Sequence, residues 1–126
     1  MFEQDYIMRL IHEMIRMACK LLFHLDTESE MQQLIKETKT EESLDDLMQE
    51  IDRGNINEAE NKLYKMVDEK KTKDNLLLGL GFYAYLNEKD EDYLMEHDFS
   101  RREVREGLES LMSEYGLHGM TDIFMM

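Results

Sequence analysis

The chain has no proline, a single cysteine in 126 residues, and only 15 basic residues against 29 acidic ones. Each shortage excludes something. Without proline, nothing in the composition interrupts long helices, and the thin clustering of β-branched and aromatic residues leaves little material for strands. Twelve methionines and 35% charged residues suit helices instead, so the expected fold is all-α. Cys19 has no partner for an internal disulfide. It sits in an apolar run, where it reads as a small buried hydrophobe.

The deficit of bases matters as much. A net charge of −14 argues against nucleic acid and anionic membranes as partners, since both need a basic footprint. The first residues lack the basic start, apolar middle and small-residue cleavage site of a leader. No uncharged run approaches the ~20 residues of a membrane span. A cytoplasmic protein is expected. Its length suits one domain over residues 1–126, near the size where association often adds stability.

What is present is patterned. Residues 1–25 balance three acids with three bases, whereas residues 26–60 carry 12 acids against Lys36, Lys39 and Arg53. In the neutral segment Ile7, Ile11, Met14, Ala18, Leu21 and Leu25 follow alternating steps of four and three, a heptad seam. Met8, Leu10, Ile15, Met17 and Leu22 widen it, predicting a long first helix over 3–25 that needs cover on most of its circumference. That cover comes either from the chain's own core or from a second copy. Ile7, Ile11, Met14, Ile15, Ala18 and Leu22 are therefore candidate self-association residues, as are Phe124 and Met125 of the apolar tail 117–126.

Further along, Met31, Leu34 and Ile35 predict a short helix ending near Thr38 to Thr40. Leu44, Leu47, Met48 and Ile51 predict another that starts after Ser43 and stops at Gly54-Asn55. A helix over 56–69 follows with Ile56, Ala59, Leu63, Met66 and Val67 inward, so residues 43–70 form a helical hairpin with tetratricopeptide-like spacing. The run NLLLGLGFYAYL predicts a central helix over 74–87, with Gly79 and Gly81 permitting close approach, expected from the first helix. Residues 87–99 read as a long polar loop. Ser100 then caps a last helix with Glu103 in the capping-box position and Gly116 at its end. The whole is an expected antiparallel array of five or six helices.

Chemistry is sparse. The stretch IHEMIR places His12-Glu13 where a zinc hydrolase would have its first ligand and base, but the second ligand position is Arg16, a group that cannot bind zinc. The positions three before His12, His24, His97 and His118 are Arg9, Leu21, Leu94 and Tyr115, so the Glu-x-x-His pairs of a di-iron bundle are missing. The acidic residues between 90 and 98 lack the glycine and spacing of a calcium loop. There is no phosphate loop, nucleophile elbow or paired-cysteine site. No catalytic residue and no cofactor is expected. An enzyme would need a spatial cluster, for instance carboxylates around His97 or His118.

Arg101, Arg102 and Arg105 oppose the dipole at the start of the last helix. Two readings stand: a clasp onto the carboxylates of residues 90–98, or, with Tyr93 and the nearby Tyr83 and Tyr85, a surface for an acidic peptide or phosphorylated ligand.

The segments DYIMRLI (5–11) and FYAYLNEKDEDYLMEHDFSRREVREGLESLMSEYG (82–116) resemble a family of short, uncharacterised bacterial helical proteins. In that family a DYIMR-like first helix leads into tetratricopeptide-like hairpins. The resemblance implies a cytoplasmic domain of unknown function, and it brings no activity, ligand or catalytic residue with it. The expected role is a non-enzymatic module that binds a protein partner or itself, including as a homodimer.

Overall fold

The computed structural model describes residues 2–117, which form seven helices and no strand. They are α1 (Phe2–Phe23), α2 (Glu28–Glu37), α3 (Thr40–Asp52), α4 (Ile56–Glu69), α5 (Lys73–Asn87), α6 (Glu91–Glu96) and α7 (Arg101–Glu114). The all-α expectation holds, with more helices than the five or six expected. The extra one is α6, in the stretch read as a polar loop. Six residues with only Leu94 buried carry too little apolar periodicity to announce a helix, yet the Asp90 side chain accepts from Tyr93 N–H at 2.8 Å and starts it.

α5 is the centre. It is apolar on all sides and packs against α1, α2, α3, α4 and α7. Leu76, Leu77, Leu80, Phe82, Tyr83 and Leu86 are fully buried, each aliphatic or Phe side chain stabilising by roughly 1.5–3 kcal/mol. The close approach at its glycines comes from other helices than expected. A Cβ on Gly79 would collide with Leu111 of α7, and one on Gly81 would lie 2.9 Å from Leu44 of α3 and 3.2 Å from Ile35 of α2. α1 also packs on α5, where Asn87 Nδ2 donates to Met8 O at 3.1 Å.

Four helices end alike, with one left-handed residue followed by an N–H that reaches back to a carbonyl five residues earlier, or six at the end of α1. His24, Gly54, Asp98 and Gly116 take the positive φ; Leu25, Asn55, Phe99 and Leu117 donate to Cys19, Glu50, Leu94 and Met112. At Gly54 glycine is needed twice over, since φ is 87° and a Cβ would overlap the His97 ring. α3 begins at Thr40, earlier than expected, so Ser43 lies in its first turn and caps nothing. Thr38 makes the break: its Oγ1 donates to Ile35 O at 3.1 Å and accepts from Thr40 N–H at 3.2 Å.

Most of the α1 seam is consumed inside the chain, with Leu21 left 51% exposed. Ile7, Ile11, Met14, Ile15 and Ala18 are 0–4% exposed, and half-buried Leu22 packs on the same core. α5 and α7 pack on these residues, so the chain's own core supplies the cover that the sequence left open between that core and a second copy. Phe124 and Met125 lie outside the described residues. Among those residues no helix is long and apolar enough to cross a membrane.

Candidate functional site

The site with unspent polar capacity lies between α4 and α7. Ala59, Leu63 and Val67 turn into the core and Val104, Leu108 and Leu111 do the same on α7, so the next positions round each helix meet along the seam. There Asn57, Glu60, Tyr64, Phe99, Glu103, Glu106, Gly107 and Ser110 line an open cleft of about 380 Å³. Three of them are carboxylates and none is basic.

Its floor is a polar arrangement reaching into the core. Tyr83, fully buried on α5, donates its hydroxyl to Glu60 Oε2 at 2.6 Å, and Tyr64 donates to Gly107 O at 2.6 Å. Gly107 makes this geometry possible, because a Cβ there would lie 2.5 Å from Glu60 Oε2 and collide with the Tyr83 phenol. Burial raises the Glu60 carboxyl above its ordinary value; the Tyr83 hydrogen bond opposes that rise and the nearby Glu103 charge adds to it. Burial likewise raises both phenols, with Glu60 reinforcing it at Tyr83, so at neutral pH they remain O–H donors. The cleft thus holds a carboxylate that is partly dehydrated and satisfied by one phenol, with two further carboxylates beside it. A cationic group entering it would relieve all three.

A model of the family of unknown function DUF6483 matches residues 1–116. The chain belongs to this family. No curated protein matches it, and neither does any solved structure. The family description carries no activity, so what the site does has to be argued from its geometry.

The expected arginine surface is rearranged. Arg101 is 4% exposed, and its two terminal nitrogens donate to Asn87 O at 2.6 Å and Lys89 O at 2.7 Å. It ties the start of α7 to the end of α5 through carbonyls, where carboxylates had been expected, and it is removed from any ligand surface. Desolvation lowers its guanidinium value while Glu91 and Asp90 support the charge from nearby. Tyr93 is also spent, donating its hydroxyl to Ile51 O. Arg105 Nε lies 3.2 Å from Glu109 within α7, and Arg102 is exposed.

Asp52, Tyr85 and Lys89 complete this corner. Asp52 Oδ1 accepts from Tyr85 at 2.6 Å and Lys89 at 2.7 Å, while the Lys89 ammonium lies over the Tyr85 and Tyr93 rings at 4.9 and 5.0 Å. His97 Nδ1 sits 2.8 Å from Tyr93 O and its ring leans on Tyr93. His118 lies outside the described residues.

The IHEMIR segment opens on a second cleft of about 490 Å³ between α1, α2 and α5. It carries both signs, and His12 Nδ1 lies 2.9 Å from Glu28 Oε1. Cys19 is buried, and burial, assisted by Glu28, pushes its thiol up to about 11. Among the described residues no group of three or more His, Cys, Asp or Glu side chains could hold a metal ion.

The α4–α7 cleft was missed in the sequence. Glu60, Glu103 and Glu106 look like members of an acidic surface, and Tyr83 was grouped with the arginines. A usable signal existed at Gly107, an isolated glycine inside a capped helix, which costs ~1 kcal/mol unless a neighbour needs the space.

Proposed function

We propose that the chain is a non-enzymatic protein-interaction module, and that its partner presents basic side chains to the α4–α7 cleft. The observation carrying this reading is Glu60, a partly dehydrated carboxylate flanked by Glu103 and Glu106 in a lining without a base. An ammonium or guanidinium seated there makes charge-assisted hydrogen bonds in a partly water-excluded site, where they are stronger than on an open surface. The partner is a different protein: with −14 per chain, a second copy approaches against its own charge. The bacterial, cytoplasmic setting implied by the resemblance, and the tetratricopeptide-like reading of α3 and α4, accord with a module of this kind.

The test is fluorescence anisotropy of a lysine-rich peptide and its glutamine counterpart on the full chain. Neutralising the cleft (E60Q, E103Q, E106Q) is expected to weaken lysine-peptide binding about tenfold, roughly 1.4 kcal/mol. Neutralising exposed Glu41, Glu42 and Asp45 on α3 should change it far less. Equal losses in the two triple variants would reduce the effect to bulk charge and sink the proposal. Light scattering should give the monomer mass throughout.

A further inference from the structure

Three large hydrophobic side chains stay exposed among the described residues: Tyr6 at 56%, Leu21 at 51% and Met95 at 62%. Two of the three lie on α1, and the helix period brings them together. Tyr6, Leu10, Met17 and Leu21 follow steps of four, seven and four, which at 3.6 residues per turn fall within an arc of about 60°. The stripe runs about 22 Å, four turns of helix. It is distinct from the buried face: Ile7, Ile11 and Ala18 are covered by the core, whereas Leu10 and Met17 are only partly buried between the two exposed ends. On the adjoining exposed side stand Arg9, Arg16 and Lys20 against Asp5 and Glu13. Glu13 is already met by Arg16 at 3.2 Å, while Arg9 and Lys20 form no ion pair among the described residues. Bases thus outnumber acids beside this stripe, on a chain whose total is −14.

We propose that the exposed α1 stripe docks one helix of a different protein, an amphipathic helix whose apolar face is edged by acidic side chains. The stripe sets the length: a partner helix of about four turns, with apolar residues every three or four positions, covers Tyr6, Leu10, Met17 and Leu21 together. The flank sets the charge. Carboxylates along the edge of the partner helix meet Arg9 and Lys20, whereas a basic edge would face like charge there. The acids elsewhere on the chain are screened beyond ~10 Å at ordinary salt, so the local flank decides the preference. A second copy brings the same bases to the same stripe and a further −14 with it. An anionic membrane is opposed by the acidic remainder of the surface. The proposal does not rest on the α4–α7 cleft, which selects the opposite charge, and the two can fail separately.

The experiment is amide NMR titration of the full chain with two synthetic helical peptides that share one leucine stripe, edged with glutamate in one and with lysine in the other. Reading the shifts on α1 separates this face from the α4–α7 cleft, to which the lysine peptide is drawn. Saturable shifts along residues 6–21 are expected with the glutamate peptide, about tenfold tighter than any produced there by the lysine peptide. Y6Q/L21Q replaces two exposed side chains, so the fold is preserved, and it should weaken the glutamate peptide about tenfold. R9E/K20E should reverse the preference between the peptides. Absence of saturation on α1 up to about 1 mM overturns the proposal, as does indifference to Y6Q/L21Q or a preference that R9E/K20E leaves unchanged. Two further results would give the stripe another occupant and overturn it equally. One is a concentration-dependent dimer in light scattering that Y6Q/L21Q abolishes; the other is co-sedimentation with phosphatidylserine–phosphatidylcholine vesicles that the same variant loses.

Discussion

The corner around Arg101 and the cleft around Glu60 are both built from ionisable side chains withdrawn from water, and they end in opposite states. At the corner nearly every strong donor has its acceptor: Arg101 places its two terminal nitrogens on the Asn87 and Lys89 carbonyls and leaves only its buried Nε without one, Lys89 and Tyr85 meet on Asp52, and Tyr93 donates to Ile51. In the cleft Glu60 takes one phenol, and Glu103 and Glu106 stand beside it with no base in the lining. The first arrangement holds helices together, and its one unmatched donor, Arg101 Nε, is buried out of a ligand's reach. The second keeps capacity that a partner can fill.

The sharpest way to break the contrast is to empty the corner. R101M leaves the Asn87 and Lys89 carbonyls without their donor and should cost about 2–3 kcal/mol, read as a lower urea midpoint at unchanged slope. A loss under ~0.5 kcal/mol would show that the guanidinium is incidental to the fold. G107A drives a methyl onto Tyr83 and Glu60; helix propensity returns part of the cost, leaving a net loss of roughly 1–2 kcal/mol in the same measurement.

The two regions also differ in the sign of their pH response. Burial raises Glu60 above its ordinary 4.5, so the folded chain holds that proton more tightly than the unfolded one. Its contribution is fullest below 4.5 and is lost as pH rises through the folded value. The stability difference between parent and E60Q should therefore move against the parent as pH rises from below 4.5 through the folded value in paired urea titrations. A flat difference would mean Glu60 is as hydrated as a surface glutamate. Asp52 runs the other way, because the Lys89 hydrogen bond, then that from Tyr85, lowers it below 3.8. Its contribution is present above that value and disappears as pH falls through the folded one. Since Asp52 is half exposed, D52N should cost under ~1 kcal/mol at neutral pH and nothing in strong acid. A larger loss at neutral pH would promote this pair to a principal tie of the fold.

Much of the architecture was legible because it rests on local rules. The 56–69 and 74–87 segments and the Ser100 cap announce themselves through periodicity and capping chemistry, and α4, α5 and α7 lie within a residue of those readings. α6 was not legible, since one buried leucine gives no period. The start of α3 was misread because Ser43 looks like a better cap than the Thr38 turn before it. Membership of a family of unknown function agrees with the resemblance and adds no site residue.

By itself the sequence determined the helical class, the apolar centre at α5 and the acidic surface, because composition, periodicity and capping act over a few residues. The tertiary structure alone decided which apolar stripe is spent internally, which arginine is buried, and which glutamate stands over a buried tyrosine. Those outcomes depend on which helix lies across from which, and a residue such as Glu60 meets Tyr83 only once the chain between them has folded back on itself.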